Sequence, residues 1–380
     1  MTAMLTRPVA DVVVAAQNVL ARRIGRAIRL VDPVGLGGSG GSVVLRVRVV
    51  ANEDVGLPRT LVVKAMNRIG RVEPGVESSD SAFLREMACY QFANTLPRPR
   101  RPGADMICCD PVQRLMILSD LGNGPRLSRL LSDPSRVSNA LSAVAQALGR
   151  MHAGTVGREN DFAALLRRAE VAHQTDAMRS RAASAVDELP DALGEFLGID
   201  VASDIVDEVR NSVSLFRGGR FAAFSPSGMC PDNMVMGSDG VRFVDYEWGG
   251  FRDAMLDLAY PLTMFPGCLC ALDVSERQSE MMIDAWRAEV VDVWPQVRDD
   301  RLMRRRLLEA QLLWVWISTA WFLPDAENER VAAVYDHGLY QSRKAVLPQR
   351  WRLVAATAER AGRRDLAQFG EAVADALVTG

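Results

Sequence analysis

The stretch Phe224-Ser225-Pro226-Ser227-Gly228-Met229-Cys230-Pro231-Asp232-Asn233-Met234-Val235-Met236 runs into the turn Gly237-Ser238-Asp239-Gly240. Val241-Arg242-Phe243-Val244-Asp245-Tyr246-Glu247-Trp248 follows. Short apolar runs on either side of a Gly/Ser/Asp turn spell two paired strands. Asn233 and Asp245 then stand at the two ends of a hairpin. Oxygens from an amide and a carboxylate suit a hard cation, and magnesium takes few protein ligands and fills its shell with water and phosphate oxygens. By itself the pattern is equally a turn followed by a strand end.

Working outward, the first part of the chain is rich in β-type sequence. An amphipathic helix is expected over 8–24, with Val12, Ala15, Ala16, Val19 and Leu20 on one face. Strand-like Ile28–Val31 and Val43–Val49 flank the turn Gly35-Leu36-Gly37-Gly38-Ser39-Gly40-Gly41-Ser42. Such a turn lets backbone N–H groups approach phosphate oxygens, although a glycine-rich hairpin is by default only a hairpin. The strand Thr60–Met66 carries Lys64, and a helix over 81–93 carries Glu86. Pro97–Pro102 reads as a loop, and 114–120 as a further strand.

After Gly122-Asn123-Gly124-Pro125 helices dominate, over 136–153, 161–187, 201–215, 275–294, 300–322 and 351–377. Trp314, Trp316 and Trp321 share one of them, at a spacing that suits core packing. The division expected is a nucleotide-binding part over 1–122 and a helical part over 123–380, interrupted by the hairpin at 221–248. Asp273, Glu276, Glu280 and Asp284 could attract a cationic ligand, but their helical spacing suits a solvated face.

Composition narrows the function. The net charge is −2, which argues against a nucleic-acid partner. Basic residues exceed acidic ones over the first 122 positions and the balance reverses afterwards. No apolar run is long enough to cross a membrane, and Val12–Ala16 is too short for a signal peptide, so a cytoplasmic protein is expected. The six cysteines form no Cys-x-x-Cys pair and there are three histidines. The expectation is no zinc site and reduced cysteines. Of 45 basic residues, only Lys64 and Lys344 are lysine. A lysine kept in an arginine-using chain marks a place where a compact ammonium works and a planar guanidinium does not.

The ordered set of Gly-rich hairpin, Lys64, Glu86, Leu118-Ser119-Asp120-Leu121-Gly122, Asn233 and Asp245 resembles the aminoglycoside phosphotransferase and choline kinase-like family. Leu148-Gly149-Arg150-Met151-His152-Ala153 adds to the likeness, and so does Asp253 with Asp257. It spans about Leu30 to Leu262. The resemblance implies an α+β, bilobal protein kinase-like fold with a small β-rich N-lobe and a larger α-helical C-lobe. It also implies ATP or GTP with Mg2+ as cofactors. Gly37, Gly38, Ser39 and Gly40 would cradle phosphates. Lys64 would hold them, braced by Glu86. The Ser119 carbonyl and Leu121 N–H would meet the base, and Asn233 and Asp245 would hold the metal. The partner would be a small molecule that accepts phosphate on a hydroxyl, bound chiefly by residues after 260.

The family pattern breaks at one place. Its catalytic aspartate falls five positions before the metal-binding Asn, and Gly228 stands there. Three accounts follow. Asp232 or a substrate group stands in for the base of a working phosphotransferase. Alternatively, the protein is a pseudokinase that binds nucleotide or a protein partner without transfer. Or Gly228 is a one-base substitution of an ordinary family aspartate.

Overall fold

The computed structural model describes residues 8–37, 42–50, 56–66, 79–172, 176–324, 329 and 338–379. Gly38, Ser39 and Gly40 lie outside the described residues. The chain forms two compact units. One comprises residues up to Gly124 together with 160–174 and 244–248; the other comprises 125–159, 175–243 and 249–380.

The first unit is built on a five-stranded antiparallel sheet. Its strands are β1 (Arg29–Gly35), β2 (Ser42–Val50), β3 (Thr60–Met66), β4 (Met106–Asp110) and β5 (Leu115–Ser119), in the order β1-β2-β3-β5-β4. Alternation puts successive side chains on opposite faces. Leu45, Val47, Leu61, Val63, Ala65, Leu115 and Ile117 meet the apolar stripe of helix α1 (Val9–Ile24). Val44, Arg46, Val62, Lys64, Met116 and Leu118 therefore share the other face. Register places Val44, Lys64 and Met116 in one cross-strand row and Arg46, Val62 and Leu118 in the next. Helix α2 (Ser79–Asn94) connects β3 towards β4. Strand β4, Met-Ile-Cys-Cys-Asp, is not among the strands expected from sequence. Its residues are all half-buried, so no alternation announces it.

The second unit is mostly helical: α3 (Leu127–Leu131), α4 (Val137–Thr155), α6 (Ala177–Leu197), α7 (Ser203–Ser212), α8 (Ala254–Leu262), α9 (Glu276–Val290), α10 (Asp300–Phe322), α11 (Arg343–Arg360) and α12 (Arg364–Thr379). Helix α5 (Glu159–Arg168) falls largely in the first unit. The β-like island forms two separate two-stranded sheets. Strand β6 (Ala222–Ser225) pairs with β9 (Gly250–Asp253), and β7 (Met234–Gly237) with β8 (Gly240–Phe243). The α+β class expected from sequence is thus observed, with a β-rich first unit and a helical second one.

Two expected helices are each broken in two. The span 161–187 ends its first helix at Arg168, and Glu170 adopts φ 60° before Asp176 caps α6. The span 351–377 is interrupted at Gly362, whose φ of 75° is a left-handed turn that no helix continues through. The expectation of wholly reduced cysteines also fails. Cys268 and Cys270, in the turn after α8, form a disulfide, with Cα atoms 5.6 Å apart. That separation is within ordinary disulfide reach. The other four cysteines are not disulfide-bonded. In the same turn the buried Arg350 donates to the carbonyls of Met264, Phe265 and Cys268, and to Ser318 Oγ. Trp314 and Trp316 are core residues as expected, donating to the carbonyls of Leu256 and Ala185.

Helices α4 and α9 approach closely because Gly149 has no side chain. A Cβ there would come within 2.7 Å of Glu289 Cβ and 3.0 Å of the Trp286 carbonyl. Gly149→Ala should therefore destabilise the protein by about 1–3 kcal/mol, read as a lower urea midpoint at unchanged slope.

Candidate active site

Lys64 leaves β3 on the sheet face opposite α1. Its ammonium lies 2.8 and 2.7 Å from the two carboxylate oxygens of Glu86 on α2, and 2.5 Å from Asp245 Oδ1. All three donors of the ammonium are used. Segment 244–248 brings Asp245 into this unit. There Tyr246 packs on Tyr90 with ring centroids 4.7 Å apart, and the Asp245 N–H donates to Tyr90 Oη at 3.4 Å. Asp245 has φ 68°, a left-handed conformation that costs a non-glycine residue strain and that packing must hold. Its second oxygen, Oδ2, has no partner among the described residues, and the side chain is 30% exposed. The group can therefore turn a free carboxylate oxygen towards a cation.

Burial alone would lower the pKa of Lys64. The charges of Glu86 and Asp245 and their hydrogen bonds outweigh it and hold the ammonium protonated well above its usual range. Glu86 is pushed up to about 7, first by its burial, against the pull of Lys64, and further by the neighbouring charge of Asp245. Two carboxylates thus share one cation. The surplus negative charge suits a site whose ammonium can be offered to an anion while a second cation balances the carboxylates.

Ser119 and Leu121 sit at the end of β5 and just beyond it. Ser119 is fastened to Asp105, its N–H donating to the Asp105 carbonyl and its Oγ accepting the Asp105 N–H, each at 2.8 Å. The N–H of Leu121 makes no hydrogen bond among the described residues. Gly37, with φ 91°, is the last described residue before the Gly-rich turn.

The remaining predicted residues belong to the second unit. Gly228 occupies a tight turn, its N–H donating to the Pro226 carbonyl at 2.7 Å. Asn233 Nδ2 donates to the Gly228 carbonyl at 2.8 Å, which leaves Asn233 Oδ1 as an available oxygen. The Asp232 carboxylate accepts from Ser128 Oγ at 2.5 Å, and its carbonyl accepts from Arg126. Asp232 thus braces the turn.

Sequence reasoning passed over the support beneath that turn. Ser227 has φ 57° and is held by a buried chain of hydrogen bonds. Trp286 Nε1–H donates to His152 Nδ1 at 3.0 Å, so the ring proton sits on Nε2, which donates to Asp257 Oδ2 at 3.0 Å. Ser225 Oγ donates to Asp257 Oδ1 at 2.7 Å, and Ser227 Oγ therefore donates to Ser225 Oγ, 3.0 Å away. Asp253, read beside Asp257 in the sequence, caps α8 through the Met255 N–H and pairs with Arg306 at 2.6 Å. The Ser-Pro-Ser sequence ahead of Gly228 was the available signal for this network, but its partners come from α4, α8 and α9. In the same unit Asp273, Glu276, Glu280 and Asp284 are all exposed, as a solvated face requires, and border an open cleft beside Arg287 and Arg304.

No family model matches the chain, and no curated protein matches it. Solved structures do match. A choline/ethanolamine kinase family protein from Mesorhizobium loti is 14% identical, over 92% of this chain and 93% of that one, with a TM-score of 0.47. Choline kinase from Cryptosporidium parvum Iowa II is 11% identical, over 89% and 91%, with a TM-score of 0.48. An aminoglycoside phosphotransferase from Alicyclobacillus acidocaldarius is 13% identical, over 90% and 93%, with a TM-score of 0.42. The likeness is one of chain course, and nothing about activity follows from it.

The raised pKa of Glu86 has a measurable consequence. Between pH 4.5, its ordinary value, and about 7, the folded protein holds more protons on Glu86 than the unfolded chain does. Its contribution to stability is therefore full below pH 4.5 and lost as pH rises through 7. Relative to Glu86→Gln, the wild type should lose up to about 3 kcal/mol across that window. Parallel urea-midpoint profiles for the two proteins would refute the assignment.

Proposed function

We propose that the protein is a small-molecule phosphotransferase that moves the γ-phosphate of ATP or GTP to a hydroxyl acceptor. The observation that carries this reading is the Lys64 ammonium, half-buried and clasped by Glu86 and Asp245 on one face of an antiparallel sheet. It is one of only two lysines in an arginine-rich chain. In this reading Lys64 meets the phosphate oxygens and Glu86 fixes its direction. Gly37, Gly38, Ser39 and Gly40 contribute backbone N–H groups, and Ser119 and Leu121 face the base.

Each of the two predicted metal residues by itself offers an oxygen of the kind magnesium takes. Asp245 Oδ2 and Asn233 Oδ1 are hard oxygens with no partner among the described residues, and they are the ligands assigned here. When bound, the ion neutralises charge on the phosphates. The acceptor is bound by the helical unit, chiefly by residues after 260, in a cytoplasmic setting without membrane or nucleic acid.

Gly228 bears on the rate. A positioned base typically contributes ~10²–10⁴-fold, so its loss slows transfer without forbidding it. Asp232 is a poor substitute, since its carboxylate is taken by Ser128. This favours a second reading, a pseudokinase that keeps nucleotide and signals to a protein partner.

Two measurements test these readings. Calorimetric titration with ATP and GTP, with and without magnesium, should show magnesium-dependent binding. Lys64→Met should weaken it by at least about 10-fold in a variant that still melts cooperatively. Unchanged affinity would remove the phosphate role. Gly228→Asp should raise turnover on a panel of hydroxyl acceptors by ~10²-fold or more. Nucleotide binding with no gain in turnover would decide for the pseudokinase.

A further inference from the structure

Arg46 lies on the same sheet face as Lys64, one cross-strand row nearer the segment that follows β5. Its guanidinium closes on that segment. Nη2 donates to Asp120 Oδ1 at 2.9 Å and to the Gly122 carbonyl at 2.8 Å, and Nε lies 2.8 Å from Asp120 Oδ2. Nη1 donates to Asn123 Oδ1. Asp120 turns back to accept the Gly122 N–H at 2.9 Å. One residue of β2 thus ties down three residues of segment 120–123 and leaves the Leu121 N–H without a partner among the described residues. The planar fork of arginine can pair with a carboxylate while reaching a carbonyl and an amide oxygen.

A ligand with its phosphates at Lys64 and its base towards Leu121 must lie along this face past Arg46. We infer that Arg46 is a positioning residue that presets segment 119–123 for the nucleoside part of the ligand and leaves the phosphate part to Lys64. The inference rests on the nucleotide reading above and deepens it. Without Arg46 the segment must be ordered when the ligand binds, and that cost falls on the nucleoside alone.

The test uses the full-length protein and two probes, ATP with magnesium and inorganic tripolyphosphate with magnesium. Arg46→Met should weaken ATP binding by about 10-fold while tripolyphosphate affinity stays within about 2-fold, which also shows that the variant is folded. Arg46→Lys should fail to restore ATP binding, because an ammonium cannot make the forked contact. Amide exchange at Leu121, Gly122 and Asn123 should speed up in Arg46→Met without ligand, which a role in phosphate contact would not produce. Unchanged ATP affinity in Arg46→Met overturns the inference and leaves the nucleotide reading standing. So does an equal loss for both probes. A wild-type protein that binds neither probe overturns both.

Discussion

The ammonium of Lys64 is the cation on which three separate stretches of chain converge. β3 delivers it, α2 supplies Glu86, and segment 244–248 supplies Asp245. A partly buried ion pair recovers its desolvation cost only if its donors are met, and Lys64 has three carboxylate oxygens within 2.8 Å. Removing Lys64 would leave two neighbouring carboxylates without a counter-charge. Around this cluster the first unit arranges what it needs: α1 covers one face of the sheet, so that the other face is free to carry Lys64 and Arg46.

Two of the predicted segments hold strained backbone, as do five other non-glycine positions among the described residues. Asp245 and Ser227 both adopt left-handed backbone conformations although neither is glycine. Each is held by buried partners, Tyr90 and Tyr246 in one unit and the Ser225–Asp257–His152–Trp286 chain in the other. A strained residue persists only where its surroundings over-determine it. Both segments that bear the predicted chemistry meet that condition.

The cysteine pair illustrates how local reading fails. Scattered cysteines in a long chain are ordinarily reduced, but Cys268 and Cys270 are brought together by a turn whose carbonyls converge on Arg350. Nothing in Cys-Leu-Cys signals this, because the guanidinium comes from α11. Strand β4 went unread for a similar reason: it shows no alternation, being recruited as an edge by pairing with β5.

The sequence alone determined the β-then-α order, the helix α1, the strand bearing Lys64, the helix bearing Glu86 and the Gly237–Gly240 turn. These follow from periodicity and turn chemistry, which act between near neighbours in the chain. Composition singled out Lys64 because one of only two lysines among 45 basic residues is visible without coordinates. Tertiary structure alone decided that Glu86 and Asp245 share that lysine, that Arg46 clamps Asp120, Gly122 and Asn123, and that Asp232 is spent on Ser128. Each of those facts depends on where side chains far apart in sequence point once buried. Burial then bears on the charge states, since desolvation is the first cause that raises Glu86.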